Sequence, residues 1–183
     1  IGMSLLSALG AHDLGFITTG DLLRRIDHTV TTLEGLERFR GHFLNWYDTT
    51  TTAPLHPRYV STVDSGNLAA SLMALSQGLL ELPAAPQTVE RLLTGLHDTA
   101  SLLVEASSGA IAGVPSGDVA AINRVARAVV REASVGDATA GIARLRRQLA
   151  ELPDLPEDEG ADPTLEHLRF WLGAMREAVD ALT

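Results

Sequence analysis

The feature that most limits the fold of this chain is the spacing of its apolar residues, which recur at intervals of three and four along nearly its whole length. This spacing is typical of amphipathic α-helices, whereas the alternating pattern of strands is almost missing. The pattern predicts seven helices, over about residues 1–12, 19–40, 64–82, 86–106, 116–133, 137–152 and 163–182. We therefore expect an all-α fold built from helical hairpins.

The composition excludes several classes of function. The chain of 183 residues contains no cysteine, and its 14 basic residues are all arginine against 23 acidic residues, which gives a net charge of −9. A disulfide framework, a thiolate nucleophile, a sulfur-ligated zinc site and a Walker or Schiff-base lysine are all excluded. The negative charge disfavours nucleic acid as a partner. No run of 18 apolar residues is present, so we expect a soluble chain with no direct membrane insertion.

Loop composition divides the chain into two expected parts, residues 1–106 and residues 107–183. The second part begins with a glycine-containing connector and includes an acidic, proline-containing linker over residues 153–162. The first residues start within an apolar pattern that has no capping residue before it. We therefore expect the chain to be a fragment of a longer protein.

Residues 41–67, which we call the aromatic segment, interrupt the helical pattern. They contain both tyrosines and one of the two tryptophans, although only 4% of the chain is aromatic. A long loop in a compact chain is usually functional or disordered, and the aromatic content argues against disorder. The prolines predict an irregular path with a short extended piece over residues 58–61. Asp64 or Ser65 is expected to cap the helix that follows.

The residue types of the aromatic segment suit carbohydrate binding. The apolar faces of sugars stack on Trp or Tyr rings, and sugar hydroxyls form hydrogen bonds with carboxylates, amides and guanidinium groups. The alternative is a structural role, in which Trp46 and Tyr47 hold the segment against the core. The residues alone leave both interpretations open.

Two stretches of this region carry a resemblance to a known family. Residues 38–49 read RFRGHFLNWYDT, and residues 54–69 read PLHPRYVSTVDSGNLA. Together with residues 5–7 and 12–15 of the first helix, they closely resemble the cyclic β-1,2-glucan synthases. The resemblance covers about residues 1–80, and the later helices match only in general character.

The resemblance implies a partial (α/α)6 barrel over residues 1–106, in a module that acts in transglycosylation and ring closure of a β-1,2-glucan made from UDP-glucose. It implies a bacterial parent with a membrane-embedded transferase region, and hence a cytoplasmic domain of an inner-membrane protein. The implied partners are the glucan chain and the remaining domains of the same polypeptide. A homo-oligomer is a further expectation, since part of a barrel leaves apolar helix faces uncovered.

The resemblance also implies which residues contact glucan, and it assigns no catalytic residue, cofactor or metal. The family's catalytic carboxylates are expected outside this chain, so the fragment alone is expected to be inactive. Thr50, Thr52 and the pair Ala70–Ser71 depart from the family pattern, and contacts made by those positions are not carried over. The expected substrate-binding residues are His42, Asn45, Trp46, Tyr47, Asp48, Arg58, Tyr59, Asp64 and Asn67.

Three alternatives compete with this interpretation. Asp48 and Asp64 could act as the two carboxylates of a glycosidase, although sequence spacing does not supply their separation. His42 and His56 with these two carboxylates could bind a metal, but their spacing matches no known metal motif. The third alternative is a non-catalytic helical scaffold that docks neighbouring domains.

Overall fold

The computed structural model describes residues 1–133, 138–156 and 162–182. This part of the chain contains α1 (Gly2–Asp13), α2 (Thr19–Gly35), β1 (Arg38–Phe39), β2 (His42–Phe43), α3 (Thr62–Glu81), α4 (Val89–Ala106), α5 (Ser116–Ala133), α6 (Ala138–Ala150) and α7 (Pro163–Asp180). The predicted all-α class is confirmed, because the only sheet of the described residues is the two-stranded pair β1–β2. Within the same residues, no helix is both long enough and apolar enough to cross a bilayer.

The chain forms two compact units. The first unit contains Ile1–His12 and Thr19–Pro86, and the second contains Asp13–Thr18 and Gln87–Thr183. The aromatic segment lies in the first unit. Helices α4 to α7 lie in the second, so α4 packs with the helices that follow it.

The second unit is a four-helix bundle, in which α4 and α6 each pack against both α5 and α7. The predicted apolar stripes fill its core, and most of their side chains are almost completely buried. Leu96, Leu103, Ile122, Val129, Leu145, Leu149, Leu168, Leu172 and Met175 are each at most 3% exposed. Asp162 caps α7 by accepting a hydrogen bond from the Thr164 amide, and Pro163 occupies the first turn. The predicted acidic linker lies in part on residues 157–161, outside the described residues.

Two glycines allow a backbone segment to lie directly on α4 in the second unit. A Cβ atom at Gly95 would overlap the Gly15 carbonyl, and a Cβ at Gly15 would overlap the Arg91 carbonyl. Gly15 also has a φ of +82°, a conformation that favours glycine. The Gln87 side chain donates a 2.8 Å hydrogen bond to the Ile17 carbonyl and fixes the same segment. Residues 13–18 therefore lie so close to α4 that side chains at Gly15 and Gly95 would not fit.

In the first unit, α1 and α3 lie side by side and run parallel. A Cβ at Gly2 would lie 2.6 Å from the Ser71 Oγ, and Leu9 lies against Gly78. Because both contacts advance by seven residues, the two helices point in the same direction. Leu5, His12 and Leu75 are buried in this unit, and the His12 Nε2 lies 2.9 Å from the Thr19 Oγ1.

Two sequence expectations about element ends are wrong. Helix α2 ends at Gly35 and does not reach Arg40, because residues 38–43 form a hairpin. The side chain that caps α3 is Ser61, whose Oγ accepts from the Asp64 amide at 3.2 Å, so Asp64 and Ser65 lie inside the first turn. Within the extended piece expected over residues 58–61, Ser61 has extended backbone angles, with φ −89° and ψ 120°.

We predict that Gly95→Ala destabilises the protein, because its methyl group would meet the Gly15 carbonyl. Overpacking costs about 1–3 kcal/mol, and we expect thermal or urea unfolding to show a loss of at least this order. Gly173→Ala in α7 is the matched control, since no atom lies within 4 Å of the position that its methyl group would occupy. That variant should be neutral or more stable by about 0.5–1 kcal/mol, as expected for Gly to Ala within a helix. Equal stability of the two variants would contradict the close approach.

Candidate functional site

The aromatic segment begins with the tight hairpin that follows α2. Arg38 pairs with Phe43 and Phe39 with His42, which leaves Arg40 and Gly41 as the two turn residues. Their φ angles are 50° and 87°, and positive φ at both positions is the requirement of a type I′ turn. The Arg38 guanidinium lies 4.6 Å above the Phe43 ring, a cation–π contact that favours this cross-strand pair.

Tyr47 connects this hairpin to the residue that precedes β1. Its hydroxyl donates a 2.6 Å hydrogen bond to the Glu37 carbonyl and accepts a 2.8 Å bond from the Leu44 amide. The Glu37 carboxylate forms an ion pair with Arg58, and both side chains are largely exposed, so this pair contributes little to stability. Tyr47 and Arg58 are therefore engaged with one residue, Glu37, that sequence reasoning missed. Glu37 lies just after the end of α2. The sequence predicted that this helix continues to residue 40, so Glu37 was not recognised as a residue beside a helix end.

A second hairpin-like pairing fixes the backbone around Trp46. The Leu55 amide donates to the Trp46 carbonyl at 3.0 Å, and the Asp48 amide donates to the Ala53 carbonyl at 2.9 Å. Further along, the backbone N–H of Asn45 donates to the backbone carbonyl of Tyr59 at 2.9 Å. These bonds bring Asn45 and Tyr59 together, although the sequence separates them by 14 residues.

Four predicted site residues form one side-chain cluster, Asn45, Trp46, Tyr59 and Asp64. The Asn45 amide is oriented by its neighbours: its nitrogen donates to the Asp64 Oδ2 at 2.8 Å, and its oxygen accepts from the Tyr59 hydroxyl at 2.9 Å and from the Trp46 indole N–H. The polar edges of both rings are thus fixed. The rings themselves remain accessible, with Trp46 50% and Tyr59 45% exposed.

Asp48 has a local structural role. Its Oδ1 accepts hydrogen bonds from the Thr50 amide at 2.9 Å, the Thr51 amide at 2.6 Å and the Thr51 hydroxyl at 2.9 Å. The hydrogen bonds from Thr51 and then from Thr50 lower the pKa of Asp48 below its ordinary value. A general acid needs a raised pKa, so this environment disfavours Asp48 as the general acid of a glycosidase pair.

The remaining predicted residues lie outside the cluster. His42 is exposed on β2, and Asn67 is exposed on α3, where its carbonyl accepts from the Ser71 hydroxyl. Among the residues that the structure describes, no side-chain hydrogen bond joins His42, Asp48 or Asn67 to the cluster. No group of three or more His, Asp or Glu side chains in this part of the chain is arranged to hold a metal ion.

The cluster is suited to present two flat apolar faces to a ligand. Trp and Tyr bind polar ligands that also have an apolar face, and rings whose rotamers are already fixed lose less entropy on binding. The carboxylate of Asp64 and the amide of Asn45 lie at the edge of these faces and can bond hydroxyl groups. This combination is chemically suited to a carbohydrate.

The sequence comparisons agree with the resemblance carried by the aromatic segment. A Rhizobium meliloti (strain 1021) protein named cyclic β-(1,2)-glucan synthase NdvB is 42% identical to this chain over 107 residues. The matched residues make up 58% of the chain and only 4% of the synthase. No protein-family model matches the chain. The chain is therefore related to a short part of a cyclic β-(1,2)-glucan synthase.

We predict that the turn formed by Asp48 is lost at acidic pH. A lowered pKa in the folded state means that the carboxylate's contribution is complete above the unfolded-state pKa, about 3.9. That contribution disappears as the pH falls through the lower folded-state pKa. The chemical shifts of the Thr50 and Thr51 amides in NMR spectra should report this titration.

Asp48→Asn is the matched control for this titration, because it keeps an acceptor oxygen but has no charge. Its Thr50 and Thr51 amide shifts should stay constant over the same pH range. A titration midpoint at or above the ordinary pKa of aspartate in the wild-type chain would contradict the assignment.

Proposed function

We propose that this chain is part of a cyclic β-1,2-glucan synthase and contributes glucan-binding residues to its transglycosylation and cyclisation module. The observation that carries the proposal is the cluster of Asn45, Trp46, Tyr59 and Asp64, which leaves two rings accessible while fixing their polar edges. The relation to the Rhizobium synthase supplies the linkage and the carbohydrate class. Exposed Trp and Tyr faces can stack on glucose rings, which supports glucan binding by the cluster.

Within this proposal the nine residues divide into groups with different roles. Trp46 and Tyr59 stack on glucose rings. Asn45 and Asp64 orient these two aromatic side chains and form hydrogen bonds with hydroxyl groups of the glucan. His42 and Asn67 are exposed and available to a longer glucan chain. The other three residues, Tyr47, Asp48 and Arg58, stabilise the conformation of the aromatic segment. Their polar atoms form hydrogen bonds or an ion pair with Glu37, Thr50 and Thr51.

We also propose the barrel context and the domain limits. In an (α/α)6 barrel, consecutive inner helices run parallel and an outer helix returns between them. The parallel contact of α1 and α3, with α2 between them in sequence, supports such a partial barrel within residues 1–106. Residues 107–183 would then be an extension to it, with α5 and α7 of that extension packed against α4. The rest of the synthase polypeptide would supply the catalytic carboxylates and the membrane-embedded transferase, with this part on the cytoplasmic side of the inner membrane.

The second candidate function is that of a helical scaffold for neighbouring domains. It is favoured by the same bonds of Tyr47, Asp48 and Arg58, which serve the local structure of the segment. Under this function the segment organises the fold and binds no sugar. The two candidates differ in whether a β-1,2-glucan produces a saturable response at Trp46.

We predict that β-1,2-gluco-oligosaccharides cause saturable NMR shifts at the indole N–H of Trp46, and that Trp46→Ala abolishes sugar binding. Removal of one stacking ring costs most of the apolar contact area of a small ligand. Phe170→Ala is the matched control, since Phe170 is an exposed aromatic residue of α7 in the other unit. It should bind as the wild type does.

No saturable response of the wild-type chain at millimolar sugar would contradict glucan binding and favour the scaffold. An equal loss of binding in the Phe170→Ala variant would show that the response does not depend on the cluster. Far-ultraviolet circular dichroism should be unchanged in both variants, because both side chains are exposed.

We further propose that the chain self-associates through the apolar surface of α3. Met73 and Leu80 lie seven residues apart on one helix face, and they are 72% and 69% exposed. Met73→Gln combined with Leu80→Gln should lower the mass measured by light scattering towards that of a monomer, because exposed apolar patches drive association. Phe170→Gln should leave the mass unchanged. A wild-type chain that is monomeric at all concentrations would contradict this prediction.

A further inference from the structure

An open groove of about 590 Å³ lies in the second unit, along α5 and the connector that precedes it. Its lining includes Arg124, Arg127 and Arg131, together with Ser107, Ser116 and Asn123. None of its lining residues belongs to the aromatic segment. The volume falls in the range of pockets that bind small molecules, about 300–1,000 Å³.

The charge of the groove is opposite to that of the whole chain. The net charge is −9, yet three arginines and no acidic residue line the groove among the residues that the structure describes. Within the same residues, none of these three guanidinium groups forms an ion pair, whereas Arg24, Arg144 and Arg146 each pair with a carboxylate. Three like charges repel each other on one helix face, and an anion between them would relieve that repulsion.

Arg127 is held in place by a chain of hydrogen bonds that starts at the end of α4. The Asn123 amide nitrogen donates to the Val104 carbonyl at 3.0 Å and to the Ser107 hydroxyl at 2.9 Å. Its amide oxygen then faces Arg127 and accepts from the Arg127 Nε at 2.8 Å. The two terminal nitrogens of the guanidinium group remain as donors, and the group is oriented before any ligand arrives.

The spacing of the arginines indicates the size of the ligand. Arg124, Arg127 and Arg131 are separated by about 4.5 and 6 Å along the axis of α5. One phosphate group can contact two neighbouring guanidinium groups, and a ligand with two adjacent phosphates can contact all three. Guanidinium groups match phosphate oxygens through paired hydrogen bonds. A long polyanion would extend beyond this row onto an acidic protein, so a small ligand is favoured.

We propose that this groove binds a small ligand that bears phosphate groups, with Arg127 as its pre-oriented contact. Ile111 and Val119, both buried, form the apolar side of the groove, which can accept an uncharged part of the same ligand. The phosphate could belong to a small molecule or to a lipid headgroup, and these sources differ in whether binding requires a membrane surface.

The test uses pyrophosphate and inorganic phosphate as probes in calorimetric titrations of the full chain at constant ionic strength. Pyrophosphate should bind saturably and more tightly than phosphate, because it can contact more of the arginines. Arg127→Gln and Arg131→Gln should each weaken pyrophosphate binding about tenfold, as expected for loss of a charge-assisted hydrogen bond. Arg25→Gln is the matched control, since Arg25 is an exposed arginine of α2 outside the groove, and its affinity should equal that of the wild type.

A positioning role of Asn123 has its own readout. Asn123→Ala should weaken pyrophosphate binding and shift the Arg127 Nε–H signal in NMR spectra, while Asn123→Gln should not restore the bond because its longer side chain misplaces the amide. An unchanged Nε–H signal in Asn123→Ala would overturn this part of the proposal.

Two results would overturn the proposal as a whole. One is the absence of saturable pyrophosphate binding at millimolar concentration, and the other is an equal loss in Arg25→Gln and Arg127→Gln, which would show an effect of net charge alone. Vesicles of phosphatidylglycerol and phosphatidylcholine provide the second arm. Binding to the anionic vesicles together with pyrophosphate would assign the groove to a lipid headgroup, whereas vesicle binding without pyrophosphate binding would overturn the small-ligand proposal.

Discussion

Backbone N–H and C=O groups that are shielded from water in the non-helical segment between α2 and α3 need hydrogen-bond partners within the protein, and this constraint shapes the candidate site. Helices satisfy their own backbone, but the aromatic segment depends on side chains and short pairings. The Tyr47 hydroxyl bonds the Glu37 carbonyl and the Leu44 amide, and the Asp48 carboxylate bonds two further amides. The side chains of Trp46 and Tyr59 take no part in these hydrogen bonds to the backbone, and their rings remain accessible.

The helical core could be predicted from the sequence because each apolar stripe there is long and regular. In α7 the spacing of Leu165, Leu168, Leu172 and Met175 leaves one face that can be buried, and all four are buried. The end of α2 could not be predicted in this way. Apolar residues continue at near-helical spacing into the hairpin, and the turn at Arg40 and Gly41 lacks the common Asn-Gly signal. The α3 cap was missed because Ser61, Asp64 and Ser65 are all good capping residues.

The candidate site was predictable as a set of residue types but not as an arrangement. Sequence reasoning selected Asn45, Trp46, Tyr59 and Asp64 among nine residues, and the structure brings these four into one hydrogen-bonded cluster. Their contact depends on a chain reversal between residues 48 and 53, and the sequence does not indicate which residues that reversal brings together. Glu37 was missed for a related reason, since its role comes from the fold of residues distant in sequence. Roles in carbohydrate binding remain a proposal supported by ring exposure.

The division of the chain into two compact units limits how either unit can be isolated. Residues 13–18 belong to the second unit although residues on both sides of them belong to the first. The polypeptide therefore passes from one unit to the other three times, after His12, after Thr18 and after Pro86. A single proteolytic cut or a simple truncation cannot release either unit intact, and a separated four-helix bundle would need residues 13–18 supplied as a grafted or permuted segment.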